Sequence, residues 1–549
     1  MEDRWYKNAI VYAIDVGVFQ DSDGDGWGDF QGVIDRLDYL RELGVTCLWL
    51  LPFYDSPERD NGYDVRDYYR IGARYGGLSD FERLLHEAGE RGLRVMMDLV
   101  VNHTSDEHPW FEASRRSDSS HFRDYYVWAD QPPPVGPDGG TIFPGEEKTV
   151  WTYDDVARAY YYHRFYHFEP ELRIANPEVR REIHRVMEFW LSFPIAGFRV
   201  DAVSHMVEEK GLPSTLPSDG HAILRELRDH VESRRPGGAL LGEADVWPEQ
   251  LAGYFGDGDE LNMLFNFLLD NYLFLALARR DAEPILQVLK QLPALPQEGQ
   301  WANFLRNLDE ADLERLSDEE REDVYRAFAP EEEMRIYGRG IRRRLAPMLG
   351  GDRRRIELAF SLLFSMPGSP VLVYGDEIGM GEDLSLPGRN AVRTPMQWSA
   401  ERNAGFSAAD PDRLRRPVVA GGEFGYERVN VEAQRGDPES MLSWMKRLIR
   451  VRRQCPEVGW GHRFPLETEA HSIFAHVLDW KGQVVAMAHN LSDQPCDFQL
   501  DLSGYAAGEL DRVFGARTEC VPEGGGRYRV RMGPFAYQWF RFGRREGAL

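Results

Sequence analysis

Eight short apolar segments, separated mostly by helix-like stretches, constrain the fold of this chain more than any other feature. The segments are nearly continuous in apolar residues, unlike the alternation expected of a half-exposed sheet. Apolar strands that alternate with helices are typical of a parallel sheet buried on both faces. The predicted strands cover residues 9–16, 47–53, 95–101, 197–203, 239–244, 261–267, 301–307 and 370–374. Eight such units predict an α/β fold, a closed (β/α)8 barrel rather than an open sheet.

Three long intervals and the C-terminal part of the chain do not fit simple barrel units. One interval, residues 376–444, predicts a long loop region after strand eight. Residues 103–176 are rich in aromatic residues, Pro and Gly, and predict a domain inserted after strand three. Residues 308–367 are charged and predict a helical insertion after strand seven. From residue 455 the pattern alternates with a period of two, which predicts an antiparallel β-sandwich over 455–549. The barrel would then comprise residues 1–102 and 177–454.

Composition and charge exclude several classes of partner. The net charge of −26 disfavours nucleic acid and anionic membrane surfaces, whereas a neutral ligand such as a sugar is not penalised. The sequence contains no run of about 18 uncharged apolar residues, so we expect no membrane span. The N-terminus has no secretory pattern, and four scattered cysteines fit a reducing compartment, so we expect a cytoplasmic protein. Homo-oligomer formation is left open by the sequence.

Carboxylates follow several of the predicted strands. Strand four ends in Asp201, strand five in Glu243, and strand seven in Asp309. Because a barrel brings the C-terminal ends of its strands together, these acids should face one pocket. Like charges that lie close raise the pKa of one carboxyl, which keeps it protonated near neutral pH. One carboxylate that attacks carbon and one acid that protonates the leaving oxygen are what glycoside hydrolysis requires.

The segments DLVVNH and GFRVDAV, the Glu after strand five and the Asp after strand seven resemble the conserved blocks of the α-amylase family of glycoside hydrolases and transglycosidases. The resemblance covers nearly the whole chain. WYKNAIVY, VRTPMQW and NVEAQ are most similar to the branch that interconverts maltose and trehalose. The family resemblance implies that Asp201 is the nucleophile, that Glu243 is the acid/base, and that Asp309 holds sugar hydroxyls. A retaining mechanism would place the two reacting carboxyls about 5–5.5 Å apart.

The resemblance also implies residues that bind a small α-glucoside disaccharide. Arg199 would orient Asp201 and balance its charge, and His103 would bind the glucosyl 6-hydroxyl. Asp64 and Arg393 would form an ion pair that closes the pocket floor and selects a terminal glucose. Tyr63 would stack on the glucose ring, since apolar sugar faces pack on aromatic rings. No organic cofactor is implied.

An acidic, glycine-rich loop precedes the first predicted barrel helix. Its alternating carboxylates suit a hard cation with six to eight oxygen ligands. It is not an EF-hand, because position twelve is Gly32 rather than Glu. The resemblance implies structural Ca²⁺. The implied ligands are Asp21, Asp23, Asp25, Asp29 and the backbone carbonyl of Trp27.

The chain departs from the family pattern at several points. Leu308 stands where the strand-seven block has a histidine, and losing such a donor costs about 1–3 kcal/mol. The first strand reads YAIDVGVF, and Asp245-Val246 after the acid/base also differ from the usual residues. A second calcium site involving Asn102 is doubtful, because the segment that would complete it reads EPELR.

The sequence therefore leaves three functions open. The first is intramolecular α-glucosyl transfer between maltose and trehalose, with hydrolysis as a side reaction. The second is an exo-acting α-glucosidase or transglucosidase on another small α-glucoside. The third is a catalytically impaired homologue that binds a sugar, which the intact set of three acids disfavours.

Overall fold

A closed barrel of eight parallel strands forms the centre of the protein, as the alternating sequence pattern predicted. The computed structural model describes residues 4–135, 140–505, 510–515 and 518–542, so the predicted ends of the first and last domains lie outside the described residues. Every predicted strand is present, most of them shortened at one or both ends. The barrel strands are Val11–Ile14, Cys47–Leu50, Arg94–Leu99, Gly197–Val200, Ala239–Gly242, Met263–Phe265, Gln300–Asn303 and Ser369–Val373.

Nearly all residues of these strands are buried, as expected for a barrel covered by helices. At Gly197 the backbone has φ of +150°, and an added Cβ would lie 1.9 Å from the carbonyl oxygen of Ala239 on the next strand. Only glycine tolerates both the conformation and this close approach. The fourth strand, which carries the predicted nucleophile, is thereby held against the fifth, which carries the predicted acid/base.

Helices surround the barrel. The longer helices outside the two insertions are Phe30–Asp35, Leu37–Leu43, Leu78–Glu90, Pro177–Leu191, Ala222–Arg234, Phe267–Arg279, Glu283–Gln291, Arg353–Ser365 and Met441–Arg453. The sequence predicted one continuous helix over 30–43, but it is broken at Arg36, which has φ of −106° and ψ of 1°. At this break the Arg36 guanidinium lies over the Trp398 ring and donates a hydrogen bond to the side chain of Gln20.

Each predicted insertion contains its own small sheet. The segment after strand three holds helix Pro109–Arg116 and the antiparallel strands Trp128–Ala129, Trp151–Asp154 and Ala159–Tyr162. The segment after strand seven holds helix Asp318–Phe328 and the strands Ala311–Asp312, Arg335–Ile336 and Gly340–Ile341. This second segment was predicted as helical, and its strands are too short to show as a pattern in the sequence.

The C-terminal region forms two antiparallel sheets that share a hydrophobic core, as predicted. One sheet contains His462–Leu466, Ile473–Trp480, Gln483–Asn490, Leu510–Gly515 and Tyr537–Phe542, and the other contains Cys496–Asp501, Glu519–Gly524 and Arg527–Met532. Trp539 ties the larger sheet to the barrel by donating to Ser361 at 3.0 Å. None of the described helices has the length and apolar character needed to cross a membrane.

Candidate active site

A cavity of about 480 Å³ lies at the C-terminal ends of the barrel strands. Six of the predicted site residues line it: Tyr63, His103, Arg199, Asp201, Glu243 and Asp309. Asp64 and Arg393 are not among the lining residues and are 0% and 1% exposed. The topology thus brings the predicted acids of strands four, five and seven to one pocket.

One buried guanidinium connects the two predicted reacting acids. Arg199 lies 2.6 Å from Asp201 through Nη1 and 2.6 Å from Glu243 through Nη2. Its Nη1 also contacts Asp98 on strand three at 2.6 Å. Because a guanidinium is small and planar, two carboxylates bound to its terminal nitrogens must lie near each other. Asp98, which the sequence analysis gave no role, completes the support of Arg199.

The environment shifts the pKa values of Asp201 and Glu243, the two predicted reacting acids, toward neutral pH. Burial raises the pKa of Asp201 to about 6, against the opposing effect of Arg199. Burial also raises the pKa of Glu243 to about 7, with Arg199 again opposing and Asp201 adding to the rise. A carboxyl that is still protonated near pH 7 can act as a general acid. The residue after Asp201, Ala202, has a left-handed backbone with φ of +49°, a strained conformation that is common beside active sites.

Of the three predicted acids, Asp309 is the one whose pKa is lowered. Burial alone would raise its pKa, but Arg389, Arg393 and Arg199 outweigh burial and lower it to about 2. Arg393 contacts its carboxylate at 2.5 Å and Arg389 at 3.0 Å. Arg389 also pairs with Glu310 at 2.7 Å and lines the cavity. The sequence analysis missed Arg389, because it lies in a long loop with no local pattern.

The predicted ion pair between Asp64 and Arg393 is not formed. Arg393 uses Nη2 for Asp309 and Nε for the carbonyl oxygen of Leu308 at 2.7 Å. Asp64 instead accepts hydrogen bonds from its own loop, including Ser56 at 2.8 Å, and lies 3.4 Å from Arg59. The partners of the Asp64 carboxylate therefore come from its own loop, and Arg393 pairs with Asp309 instead. Asp60, four residues earlier, is the acid of this loop that lines the cavity.

His103 and Tyr63 have the properties that sugar contacts require. His103 is 2% exposed, and burial lowers its pKa to about 4, so the ring is neutral. A neutral imidazole can donate a hydrogen bond from one nitrogen and accept one at the other. Tyr63 is 8% exposed, and its hydroxyl lies 3.5 Å from Arg199.

Two of the departures from the family pattern have visible consequences. Leu308 is 2% exposed, packs in the core and does not line the cavity, so it presents no hydrogen-bond donor there. In the short helix Val16–Phe19, which follows the first strand, the space beside Gly17 is filled by Arg415, whose Nη1 lies 2.1 Å from where a Cβ would be. Arg415 pairs with Asp15 at 2.8 Å, and Arg416 lies 3.5 Å from the same carboxylate. The acid at position 15 is therefore neutralised by arginines from a distant loop.

The acidic loop brings three of its four predicted acids together. Carboxylate oxygens of Asp21, Asp23 and Asp29 lie within 4.8 Å of one another and could hold a metal ion. Asp25 is not in this group, because its carboxylate pairs with Arg74 at 3.0 Å. The prediction of Asp25 as a side-chain ligand is therefore not supported.

At the doubtful second calcium site, the structure places an ammonium group. Lys210 contacts the side-chain oxygen of Asn102 at 2.5 Å and the carboxylate of Glu171 at 2.7 Å. Its side chain is 2% exposed, so the charge is buried between oxygen ligands. A monovalent side chain stands where the family pattern would place a cation, which agrees with the departure at EPELR.

Comparison with known proteins identifies the family. Residues 16–461 match the profile of the α-amylase catalytic domain. The chain belongs to the α-amylase family. Trehalose synthase of Thermus thermophilus is 44% identical over 543 residues, which cover 98% of this chain and 56% of that protein. Trehalose synthase/amylase of Mycobacterium tuberculosis is 42% identical over 551 residues, covering 98% of this chain and 90% of that protein.

A solved structure of the same family supports the architecture. Trehalulose synthase MutB of Pseudomonas mesoacidophila, in a mutant crystallised with the substrate sucrose, gives a TM-score of 0.79 at 25% identity. The match covers 98% of this chain and 99% of that structure. This family member therefore shares the fold along nearly its whole length. The chain spans little more than half the length of the Thermus protein.

Proposed function

We propose that the chain is a retaining α-glucosyl transferase that interconverts maltose and trehalose, with hydrolysis as a side reaction. Relatives named trehalose synthases align along 98% of the chain, and MutB, also of this fold, acts on the disaccharide sucrose. The observation that carries the proposal is the bridging of Asp201 and Glu243 by Arg199. It supplies a nucleophile and an acid at one point of a cavity large enough for a disaccharide.

In the first step Asp201 attacks the anomeric carbon of the terminal glucose while Glu243 protonates the glycosidic oxygen. Asp201 must be ionised and Glu243 protonated, and the order of their pKa values, about 6 and about 7, suits these roles. Asp309, ionised and fixed by two arginines, would accept hydrogen bonds from glucosyl hydroxyls. His103 and Tyr63 would contact the same ring through a hydroxyl and through stacking.

In the second step the released glucose attacks the glucosyl-enzyme through its own anomeric hydroxyl. Glu243, now a carboxylate, removes the proton of that hydroxyl, and the bond between the transferred glucosyl unit and Asp201 breaks. Attack by the anomeric hydroxyl yields trehalose, attack by the 4-hydroxyl restores maltose, and attack by water gives hydrolysis. Retention of the free glucose therefore requires that bulk water be kept out.

The two insertions contact each other beside Arg389, which holds Asp309, and would exclude water on that side. The ring of Phe143 lies 5.0 Å from that of Tyr337. Arg389, which holds Asp309, lies 4.6 Å from the Phe143 ring. Glu146 accepts hydrogen bonds from the hydroxyls of Tyr166 at 2.9 Å and of Tyr337 at 3.3 Å. These contacts join the two insertions, here called the lids, beside Arg389, which lines the pocket.

The acidic loop is proposed to bind structural Ca²⁺ through Asp21, Asp23 and Asp29. Three converging carboxylates form the hard-oxygen donor set that Ca²⁺ prefers. Asp21 also binds Ser407, and Gly26 accepts a hydrogen bond from the backbone of Arg415, so the loop is fixed to the segment that neutralises Asp15. The ion would stabilise the loop, and it has no part in the chemical steps. A cytoplasmic location stays a prediction.

Product analysis after incubation with maltose tests the proposal. We expect trehalose as the main product with a minor amount of glucose. The Asp201→Asn and Glu243→Gln variants should lose most of the activity, because each removes one reacting group. Glucose without trehalose would favour an exo-acting α-glucosidase. Sugar binding without turnover by the unmodified chain would favour an impaired homologue.

A further inference from the structure

A second buried guanidinium joins two loops that carry pocket residues. Arg416 is 7% exposed and lies in the long segment after strand eight. Its Nη2 donates a hydrogen bond to the side-chain oxygen of Asn61, in the loop after strand two. Its Nε donates to the side-chain oxygen of Asn390 at 3.1 Å, and its Nη1 donates to the carbonyl oxygen of Arg393 at 3.2 Å. One side chain thus bonds both loops.

On the side of Asn61, the contact is made to the tip of a tight turn. Asn61 has φ of +52° and Gly62 has φ of +94°, a left-handed conformation that Asn and Gly tolerate best. The carbonyl oxygen of Asp60 accepts a hydrogen bond from the backbone N–H of Tyr63 at 3.0 Å, which closes the turn. Both of these outer residues line the cavity. A bond to the tip of the turn therefore helps to fix two residues of the pocket wall.

On the other side, the contact is made to the segment whose arginines fix Asp309. Asn390 directly follows Arg389, and its carbonyl oxygen accepts a hydrogen bond from the backbone N–H of Arg393 at 3.1 Å. Arg389 and Arg393 both contact the Asp309 carboxylate. Arg416 therefore bonds the backbone of one of these arginines and the side chain of the residue beside the other. A displacement of this segment would move the carboxylate that is proposed to hold glucosyl hydroxyls.

Directional hydrogen bonds hold Arg416 more than charge pairing does. The carboxylate of Asp15 lies 3.5 Å from Arg416 but 2.8 Å from Arg415. Burial, with Arg415 adding to the effect, lowers the pKa of Arg416 to about 10, so the group stays charged at neutral pH. A buried charge that shares its acid with a neighbour destabilises the fold unless other groups satisfy it. Here those groups are neutral oxygens of the two pocket loops.

We propose that Arg416 is a positioning residue that sets the distance between the turn carrying Tyr63 and the carboxylate of Asp309. The inference rests on the proposed function, because the glucosyl ring of the substrate would lie between these two groups. Arg416 does not line the cavity, so it would act through Asn61 and Arg393 rather than by touching the sugar. Loss of its contacts would loosen the glucosyl site and weaken sugar binding.

The test measures KM for maltose and, by calorimetry, the dissociation constant of 1-deoxynojirimycin, a glucose-shaped iminosugar. Arg416→Met should raise both about five- to tenfold, because small displacements of binding groups are costly. Asn61→Gly removes the acceptor, keeps a residue suited to the left-handed turn, and should raise both about threefold. The double variant should resemble Arg416→Met alone, because Asn61→Gly then has no contact left to remove.

A second buried arginine provides the matched control. Arg452 is 0% exposed and donates a hydrogen bond to the carbonyl oxygen of Gly368 at 2.8 Å, at the start of strand eight and the barrel end away from the cavity. Arg452→Met should lower Tm, as Arg416→Met does, without changing KM or the dissociation constant. The comparison separates a general loss of stability from a change in the glucosyl site.

Unchanged affinity in Arg416→Met and Asn61→Gly, an equal loss in Arg452→Met, or additive effects in the double variant would overturn the positioning role. Asn61→Gly decides the outcome by itself if an arginine variant does not fold. If the unmodified chain binds the iminosugar but makes no trehalose, the binding data still decide the role of Arg416 and the transferase proposal alone fails. If it binds no iminosugar and turns over no maltose, both proposals fail.

Discussion

The pH dependence of kcat/KM provides the sharpest test of the paired acids. The free enzyme is active when Asp201 is ionised and Glu243 is protonated, so activity rises through the lower pKa and falls through the upper one. With values of about 6 and about 7, the profile should be a narrow bell centred between them. Beyond each flank the productive fraction falls about tenfold per pH unit. The two flanks belong to the interacting pair rather than to separate residues.

A matched variant separates the two flanks. Glucosyl fluoride in the α configuration has a leaving group that needs little protonation, so Glu243→Gln should still release fluoride from it. In that variant the fall above pH 7 should disappear, because no acid remains to be deprotonated. The rise on the acid side should remain near its original position, because Glu243 is largely protonated, and so uncharged, at the pH where Asp201 ionises.

The assay is initial-rate fluoride release measured from pH 4 to pH 9 at low substrate concentration. An acid flank near the ordinary carboxyl value of about 4 in the unmodified chain would refute the reasoning, because burial would not be raising the pKa of Asp201. An alkaline fall that persists unchanged in Glu243→Gln would refute the assignment of the acid. Retention of stability across this range, checked by thermal melting, excludes unfolding as the cause of either flank.

Three further outcomes follow from the same contacts. Arg393→Met should lower kcat/KM for maltose about 10- to 100-fold, since a charged hydrogen bond to Asp309 contributes about 1.5–3 kcal/mol; a loss no greater than that of Asp64→Asn would contradict the observed pairing. Tyr337→Ala should raise the ratio of glucose to trehalose severalfold, because the lids lose their aromatic contact, whereas Tyr337→Phe should not; an unchanged ratio argues against water exclusion by the lids. Calcium should raise Tm by a few degrees over the chelator-treated protein, and Asp23→Asn should abolish the difference; equal melting with and without calcium would reject the site.

The barrel and its acids could be predicted from the sequence because both depend on local, repeated signals. Buried parallel strands read as continuous apolar runs, and the position of an acid at a strand end fixes its place at the barrel mouth. Asp201, Glu243 and Asp309 were found in this way. Asp60 and Arg389 were missed, since they lie on loops whose course no periodic pattern determines. The partner of Arg393 was mispredicted for the same reason, because a choice between two buried acids depends on atomic distances.

The departures from the family pattern are compensated in two places and uncompensated in a third. Asp15 and Gly17 go together with Arg415, which occupies the space that a larger residue at position 17 would need. Lys210 supplies a charge between Asn102 and Glu171. Leu308 has no such partner, since its side chain is buried and only its carbonyl oxygen contacts Arg393. A buried charge without a partner strongly destabilises a fold, whereas the loss of a substrate contact need not affect stability. The uncompensated change is therefore the one that should alter substrate preference rather than stability.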